Sequence, residues 1–83
     1  MSKKMTIDSF ARYFGSDYEG SNIYIAYQVL YYWHENGNAD VHEELLQLTK
    51  EARKEILHFI ICSQYVDNDR ENQRLATAII DTF

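Results

Sequence analysis

Apolar residues near the start of the chain recur with the spacing of an α-helix. Four of them fall at positions i, i+3, i+4 and i+7 and therefore share one helical face: Ile7, Phe10, Ala11 and Phe14. Thr6 directly precedes this stripe and can cap a helix, while Gly15 follows it and can end one. The pattern predicts a first helix over about residues 7–14.

A second and longer helical pattern follows a polar stretch of the chain. Ser21 or Asn22 can cap it, and the Asn36-Gly37 pair can end it, since glycine is a common helix terminator. The predicted helix covers about residues 23–35. His34 falls in its last turn, where an imidazole faces the negative end of the helix dipole.

A third apolar stripe is longer than either of the first two. Its members lie on one continuous helical face: Val41, Leu45, Leu48, Ala52, Ile56, Phe59 and Cys62 or Ser63. Asp40 and Glu43 have the spacing of a capping box at its start. The pattern leaves two alternatives open, because the helix either continues unbroken to Val66 or is interrupted near Thr49, which can cap a second piece.

The last helical pattern begins after a polar segment. Asn68 with Glu71 three residues later repeats the capping-box spacing, so Asn68 is the predicted N-cap. The apolar face that follows consists of Leu75, Ala76, Ile79, Ile80 and Phe83. Because the chain ends on this face, we expect its last residues to be docked against the rest of the molecule.

These patterns predict an all-α fold. The expected architecture is a bundle of four helices, or five if the third pattern is broken near Thr49, within a single domain over residues 1–83. The composition agrees, because the chain contains no proline and only three glycines, whereas turn-rich β-sandwiches need many of both.

The charge of the chain is unevenly distributed. The formal net charge is −5, yet residues 13–49 contain six acidic residues, no lysine, no arginine and eight of the twelve aromatic residues. This combination suits a surface that contacts a basic protein, and it argues against direct nucleic-acid binding, which requires neutralised phosphates. Lys50, Arg53 and Lys54 lie close together on the third pattern and are expected to form a solvated helix face.

Two helices have more apolar residues than one core needs. In the second helix the face opposite the core carries Tyr24, Ile25, Gln28, Tyr32 and Glu35, and the third pattern has a second apolar line at Leu46, Leu57, Ile61 and Tyr65. Such a stripe is either covered by neighbouring helices or exposed as an interface, where tyrosine is enriched. The residues predicted to contact a partner are Tyr24, Gln28, Tyr32, Glu35, Asp17, Glu19, Asp40, Glu43 and Glu44.

The sequence carries little catalytic chemistry. Glu55 and His58 have the Glu-x-x-His spacing of di-metal bundles, but those sites need a second copy and further carboxylates, so a solvated pair is predicted. Cys62 lies in an apolar run and is expected to be buried as a small hydrophobic residue. Phosphate-binding glycine loops and nucleophile elbows are absent from the sequence. The prediction is therefore a protein without enzyme activity, cofactor or bound metal.

No stretch of the sequence has the features of a secretory signal or the length of a membrane span, which favours the cytoplasm. In size, charge and lack of motifs, the chain resembles the small acidic inhibitors that phages and mobile elements direct against host nucleases. Those inhibitors include anti-CRISPR and anti-restriction proteins, some of which imitate DNA. The resemblance implies an inhibitor or adaptor that covers a partner's basic, nucleic-acid-binding surface. The alternative is a structural or regulatory domain that forms a symmetric homodimer.

Overall fold

The computed structural model of the chain describes residues 4–36, 41–63, 66 and 69–83. Five α-helices lie within these residues: α1 (Ile7–Phe14), α2 (Asn22–Glu35), α3 (Val41–Leu46), α4 (Lys50–Cys62) and α5 (Arg70–Ile80). The predicted all-α class is confirmed. In the parts of the chain just named, no helix is both long enough and apolar enough to cross a membrane.

The start of α1 and of α2 follows the predicted capping chemistry. The Thr6 side chain accepts a hydrogen bond from the Ser9 backbone N–H, and Ser21 accepts one from the Tyr24 N–H. Gly15 does end α1, but its φ of −107° is not the left-handed conformation that usually selects glycine at this position. A Cβ atom at Gly15 would overlap Ile25 Cγ2 and lie 2.7 Å from Ala11 O, so close packing of α1 on α2 requires glycine here.

The third apolar stripe is divided into two helices, which decides between the two alternatives that the sequence left open. Thr49 caps α4 by accepting a hydrogen bond from the Ala52 N–H at 3.0 Å. The predicted long helix is interrupted because the backbone just before α4 pairs with the backbone of Met5. Met5 N–H donates to Gln47 O at 2.7 Å, and Thr49 N–H donates to Met5 O at 2.9 Å, which forms a parallel bridge between Met5 and Leu48.

The N-cap of α5 differs from the predicted one. Asp69, and not Asn68, accepts the hydrogen bond from the Asn72 backbone N–H, at 2.9 Å. Both residue types cap helices well, so the sequence did not distinguish two neighbouring candidates. Asn68 itself, like the proposed Asp40 cap of α3, lies outside the described residues.

The core forms around α2, which contacts α1, α3, α4 and α5. The largest fully buried side chains of the core come from all five helices and the α3–α4 connection: Phe10, Val29, Leu30, Leu45, Leu48, Ile56, Leu75 and Ile79. Trp33 packs edge-on against Phe10 and Phe14, with ring centroids 5.8 and 5.0 Å apart, and so fixes α1 across α2. At the opposite side, α4 and α5 cover the same helix.

Two predictions about α4 were wrong. Arg53 is buried with 6% of its surface exposed, where a solvated residue was expected. Its Nη1 donates to Thr82 O at 2.9 Å, and its guanidinium lies 5.1 Å from the centre of the Phe83 ring. Cys62, expected inside, is exposed as the last residue of α4.

Candidate functional site

A series of tyrosine rings connects the surface of the molecule to its core. Tyr32 on α2 stacks on Tyr18 of the α1–α2 loop, with centroids 5.9 Å apart and planes inclined by 16°. It also meets Tyr31 edge-on at 5.6 Å, and Tyr31 contacts Tyr27 at 5.8 Å. The series ends at a buried hydrogen bond of 2.6 Å from the Tyr27 hydroxyl to Asn72 Oδ1. Tyr32 therefore contacts two other tyrosine rings although 45% of it is exposed.

The other predicted tyrosine lies in a different environment. Tyr24 is half-buried because its ring packs against Phe59 of α4, with centroids 6.0 Å apart, and stacks on Tyr27 at 6.3 Å. Gln28 lies between Tyr24 and Tyr32 on the same helical stripe, and its amide donates to Tyr24 O at 3.4 Å. Ile25, the apolar member of this stripe, packs against Gly15 and is half-buried.

The predicted acidic residues divide between two places. Asp17 and Glu19 are exposed in sequence on either side of Tyr18, and Glu35 is exposed one turn beyond Tyr32, so all three adjoin a residue of the Tyr18–Tyr32 stack. Glu43 is exposed and Glu44 half-buried on the separate helix α3. Asp40 lies outside the described residues. We use the name tyrosine face for Tyr18, Tyr24, Gln28, Tyr32 and Glu35 together with Asp17 and Glu19.

Tyr18 belongs to this surface but was not among the predicted residues. It sits in a short loop with Gly15 and Gly20 on either side, and Gly20 has a φ of +123°, which side-chain-bearing residues rarely adopt. The Tyr18 N–H donates to Gly15 O at 3.0 Å, which closes a tight turn. A tyrosine between two acidic residues in a glycine-bounded loop was the available signal, but helical periodicity does not extend to loops.

Burial and nearby carboxylates keep the inner rings of the series protonated. Burial raises the pKa of Tyr27 to about 12, and its hydrogen bond to Asn72 opposes that rise only in part. The pKa of Tyr31 is also raised, first by burial and then by the negative charges of Asp69, Glu35 and Glu71. Near neutral pH both phenols are therefore uncharged hydrogen-bond donors, and this end of α2 carries negative charge only on its carboxylates.

The residues with possible catalytic spacing line an open hollow. Glu55 and His58 are both exposed, as predicted for a solvated pair, and they line a hollow of 460 Å³ together with Ile23, Lys54 and Phe59. Within the described ranges, no three histidine, cysteine or acidic side chains are close enough together to hold a metal ion. The geometry of this region supplies no nucleophile with an activating base.

Comparison with known proteins adds no relative, since no protein-family model, no curated protein and no solved structure matches this chain.

Proposed function

We propose that this protein is a small protein-binding module, acting as an inhibitor or adaptor that covers a partner's surface with its tyrosine face. The observation that supports this function is the ring of Tyr32, which is 45% exposed and yet packed against the rings of Tyr18 and Tyr31. A side chain that is already ordered loses little conformational entropy on binding. Tyrosine is also enriched among the residues that contribute most to the affinity of protein interfaces.

The charges around Tyr32 favour a basic partner. Asp17, Glu19 and Glu35 are exposed, and no lysine or arginine occurs between Arg12 and Lys50. Complementary charge accelerates encounter and sets the orientation of binding, while the buried rings supply most of the affinity. The proposed partner class is a cytoplasmic protein with a basic nucleic-acid-binding surface, such as a host nuclease or CRISPR component that a phage protein would block.

The experiment compares two tyrosines that undergo the same substitution. The wild-type chain, Tyr32→Ala and Tyr13→Ala are immobilised, and proteins that bind them are recovered from a host lysate. Tyr13 is the matched control, because it is 74% exposed on α1 but does not belong to the tyrosine face. We expect a protein that wild type and Tyr13→Ala retain equally and that Tyr32→Ala loses at least tenfold. Equal recovery by both variants would show that the face is wrongly assigned.

A charge reversal tests the electrostatic part of the proposal. Glu35→Lys and Glu51→Lys change the net charge equally, but Glu51 is exposed on α4, away from the tyrosine face. We expect Glu35→Lys alone to weaken binding at low salt, with a smaller difference at high salt because counterions screen exposed charges. Binding of the wild type that falls steeply with salt supports DNA mimicry, whereas salt-insensitive binding assigns the affinity to the rings.

The homodimer is a second candidate, supported by a different surface. Ile61 is 66% exposed on α4, and Ile80 and Phe83 are about half exposed at the end of the chain. Apolar side chains of this size at the surface are typical of an interface when they form one patch. Sedimentation equilibrium at micromolar concentration tests this: a dimer that Ile61→Lys dissociates supports it, and a monomeric wild type excludes it at that concentration.

A further inference from the structure

A hollow of 520 Å³ lies between the end of α2 and the outer side of α5. It is distinct from the tyrosine face, and the residues that line it include His34, Arg70, Gln73, Arg74, Thr77 and Asp81. Four of these side chains share one helical stripe at the spacing i, i+3, i+4, i+7: Arg70, Gln73, Arg74 and Thr77. The two arginines therefore lie one turn apart on the same side of α5. Among the residues that line the hollow, the two arginines outnumber the single carboxylate of Asp81, although the chain is acidic overall.

Both arginines are available to a ligand. Arg70 is exposed and forms no ion pair with any residue that the structure describes. Arg74 lies 3.8 Å from Glu71 Oε1 with 60% of its side chain exposed, and an ion pair of this kind contributes little to stability. The His34 ring closes the hollow from α2. Its Nδ1 faces Glu71 Oε2 at 3.5 Å and is buried without a hydrogen-bond partner among the described residues.

We propose that this hollow binds a phosphate group carried by a phosphorylated ligand. Two guanidinium groups one helical turn apart can each donate a pair of hydrogen bonds to phosphate oxygens, which is the geometry that favours arginine over lysine at phosphate sites. The imidazole of His34 supplies a further polar contact at the edge. A volume of 520 Å³ is within the range of small-molecule sites, so the group that carries the phosphate also fits.

The acidic residues nearby lower the affinity of the hollow for phosphate but do not prevent binding. Asp81 lies seven residues after Arg74, about 10 Å along the helix axis, which is about one Debye length at ordinary ionic strength. Glu71 lies 3.5 Å from His34 Nδ1 and 3.8 Å from Arg74 Nη1, so a phosphate competes with this carboxylate for Arg74. Arg70 has no ion pair among the described residues, so it is the arginine that a phosphate reaches without such competition. A nucleic acid would need many neutralised phosphates, which this surface does not offer.

The test is an NMR titration of the full chain with inorganic phosphate, at constant ionic strength maintained with sodium chloride. We expect saturating shifts of the Arg70 and Arg74 Nε–H signals and of the His34 ring, with a dissociation constant in the millimolar range. The Arg70→Gln, Arg74→Gln double variant should lose this saturation. The matched control is Lys50→Gln with Lys54→Gln, which removes the same charge at the same i, i+4 spacing on α4 and should leave the shifts unchanged.

Two further titrations identify what carries the phosphate. Glycerol 3-phosphate represents a small phosphorylated molecule, and a short phosphoserine peptide represents a phosphorylated protein. At least tenfold tighter binding of one of them than of inorganic phosphate, dependent on Arg70 and Arg74, supports the proposal and names the source. Shifts that rise linearly without saturation, equal losses in the lysine control, or no gain with either ester would overturn it. None of these outcomes depends on the tyrosine face.

Discussion

The hydroxyl of Tyr27 lies inside the core and determines how α5 packs on α2. It donates to Asn72 Oδ1, and both residues are buried, so water cannot replace either partner. A buried polar group that loses its partner costs more than the hydrogen bond itself contributes. Within the core, this pair is a directional contact between two helices that also meet at the surface through His34 and Glu71.

Substitution Tyr27→Phe should therefore lower the free energy of unfolding by about 1–2 kcal/mol at neutral pH. The ring is retained, so the loss reports the hydroxyl alone, and urea unfolding measures it. Tyr31→Phe is the control for removing a half-buried tyrosine hydroxyl, and we expect a smaller change. A smaller loss of unfolding free energy in Tyr27→Phe than in Tyr31→Phe would contradict the role given to the Asn72 contact.

Tyr27 also predicts how stability depends on alkaline pH. Its pKa is about 12 in the folded chain against 10.0 for the unfolded reference, so the folded state retains the proton more strongly. The resulting stability is fully present below pH 10 and is lost as the pH rises towards 12. Wild type should lose more stability than Tyr27→Phe between pH 9 and pH 11 in urea unfolding. Parallel pH profiles of the two chains would exclude this contribution.

Gly15 is a second residue whose role follows from its immediate neighbours. Gly15→Ala should destabilise the fold by about 1–3 kcal/mol, because the new methyl group overlaps Ile25 Cγ2 and approaches Ala11 O. In a double-mutant cycle, Ile25→Ala should relieve part of this cost, so the two changes together should be less than additive. Strict additivity would show that the strain arises elsewhere.

At the level of elements, the sequence predicted helices better than it predicted their connections. The bounds of α1 and its cap Thr6 follow from local spacing and hydrogen-bonding chemistry and agree with the structure, which also selects Ser21 from the two caps that the sequence allowed for α2. The break at Thr49 depends on Met5, which is distant in sequence, so local pattern left it open. The tyrosine face was predicted in part for the same reason: its α2 residues share a helical stripe, whereas Tyr18 joins it through a loop.

The Thr49 cap gives a prediction at this scale. Thr49→Ala should cost about 1 kcal/mol, because the Ala52 N–H loses its acceptor at the start of α4. Thr77→Ala is the matched control, since Thr77 is an exposed residue inside α5 and alanine is the better helix former there. Thermal unfolding of both variants measures the difference, and equal midpoints would contradict capping by Thr49.

For the whole molecule, the misassigned Arg53 has the largest consequence. A basic residue next to Lys50 and Lys54 was expected to be solvated, since sequence does not reveal that the last turn of the chain folds over α4. Arg53 in fact joins α4 to that turn through Thr82 O and the Phe83 ring. The solvated face expected on α4 therefore lacks Arg53, while Arg70 and Arg74 form the arginine pair on α5.

Removal of the Arg53 side chain should loosen the packing of the last turn of the chain on α4. Arg53→Ala should lower the free energy of unfolding by about 2–3 kcal/mol, from a charged hydrogen bond and a cation–π contact. Amide hydrogen exchange should quicken at residues 81–83 before it quickens in α2. Lys54→Ala, an exposed neighbour on the same helix, should change neither quantity measurably. Unchanged amide exchange at residues 81–83 would contradict the role of Arg53 in holding the last turn on α4.

The parallel bridge between Met5 and Leu48 affects the order in which the chain can fold during its synthesis. Leu48 follows Met5 by 43 positions, so the ribosome adds it about 2–9 seconds later at ~5–20 residues per second. Until then the backbone groups of Met5 lack their native partners, and α1 has only α2 to pack against. Met5 therefore gains these backbone partners only after the residues of α1 and α2 have both been synthesised.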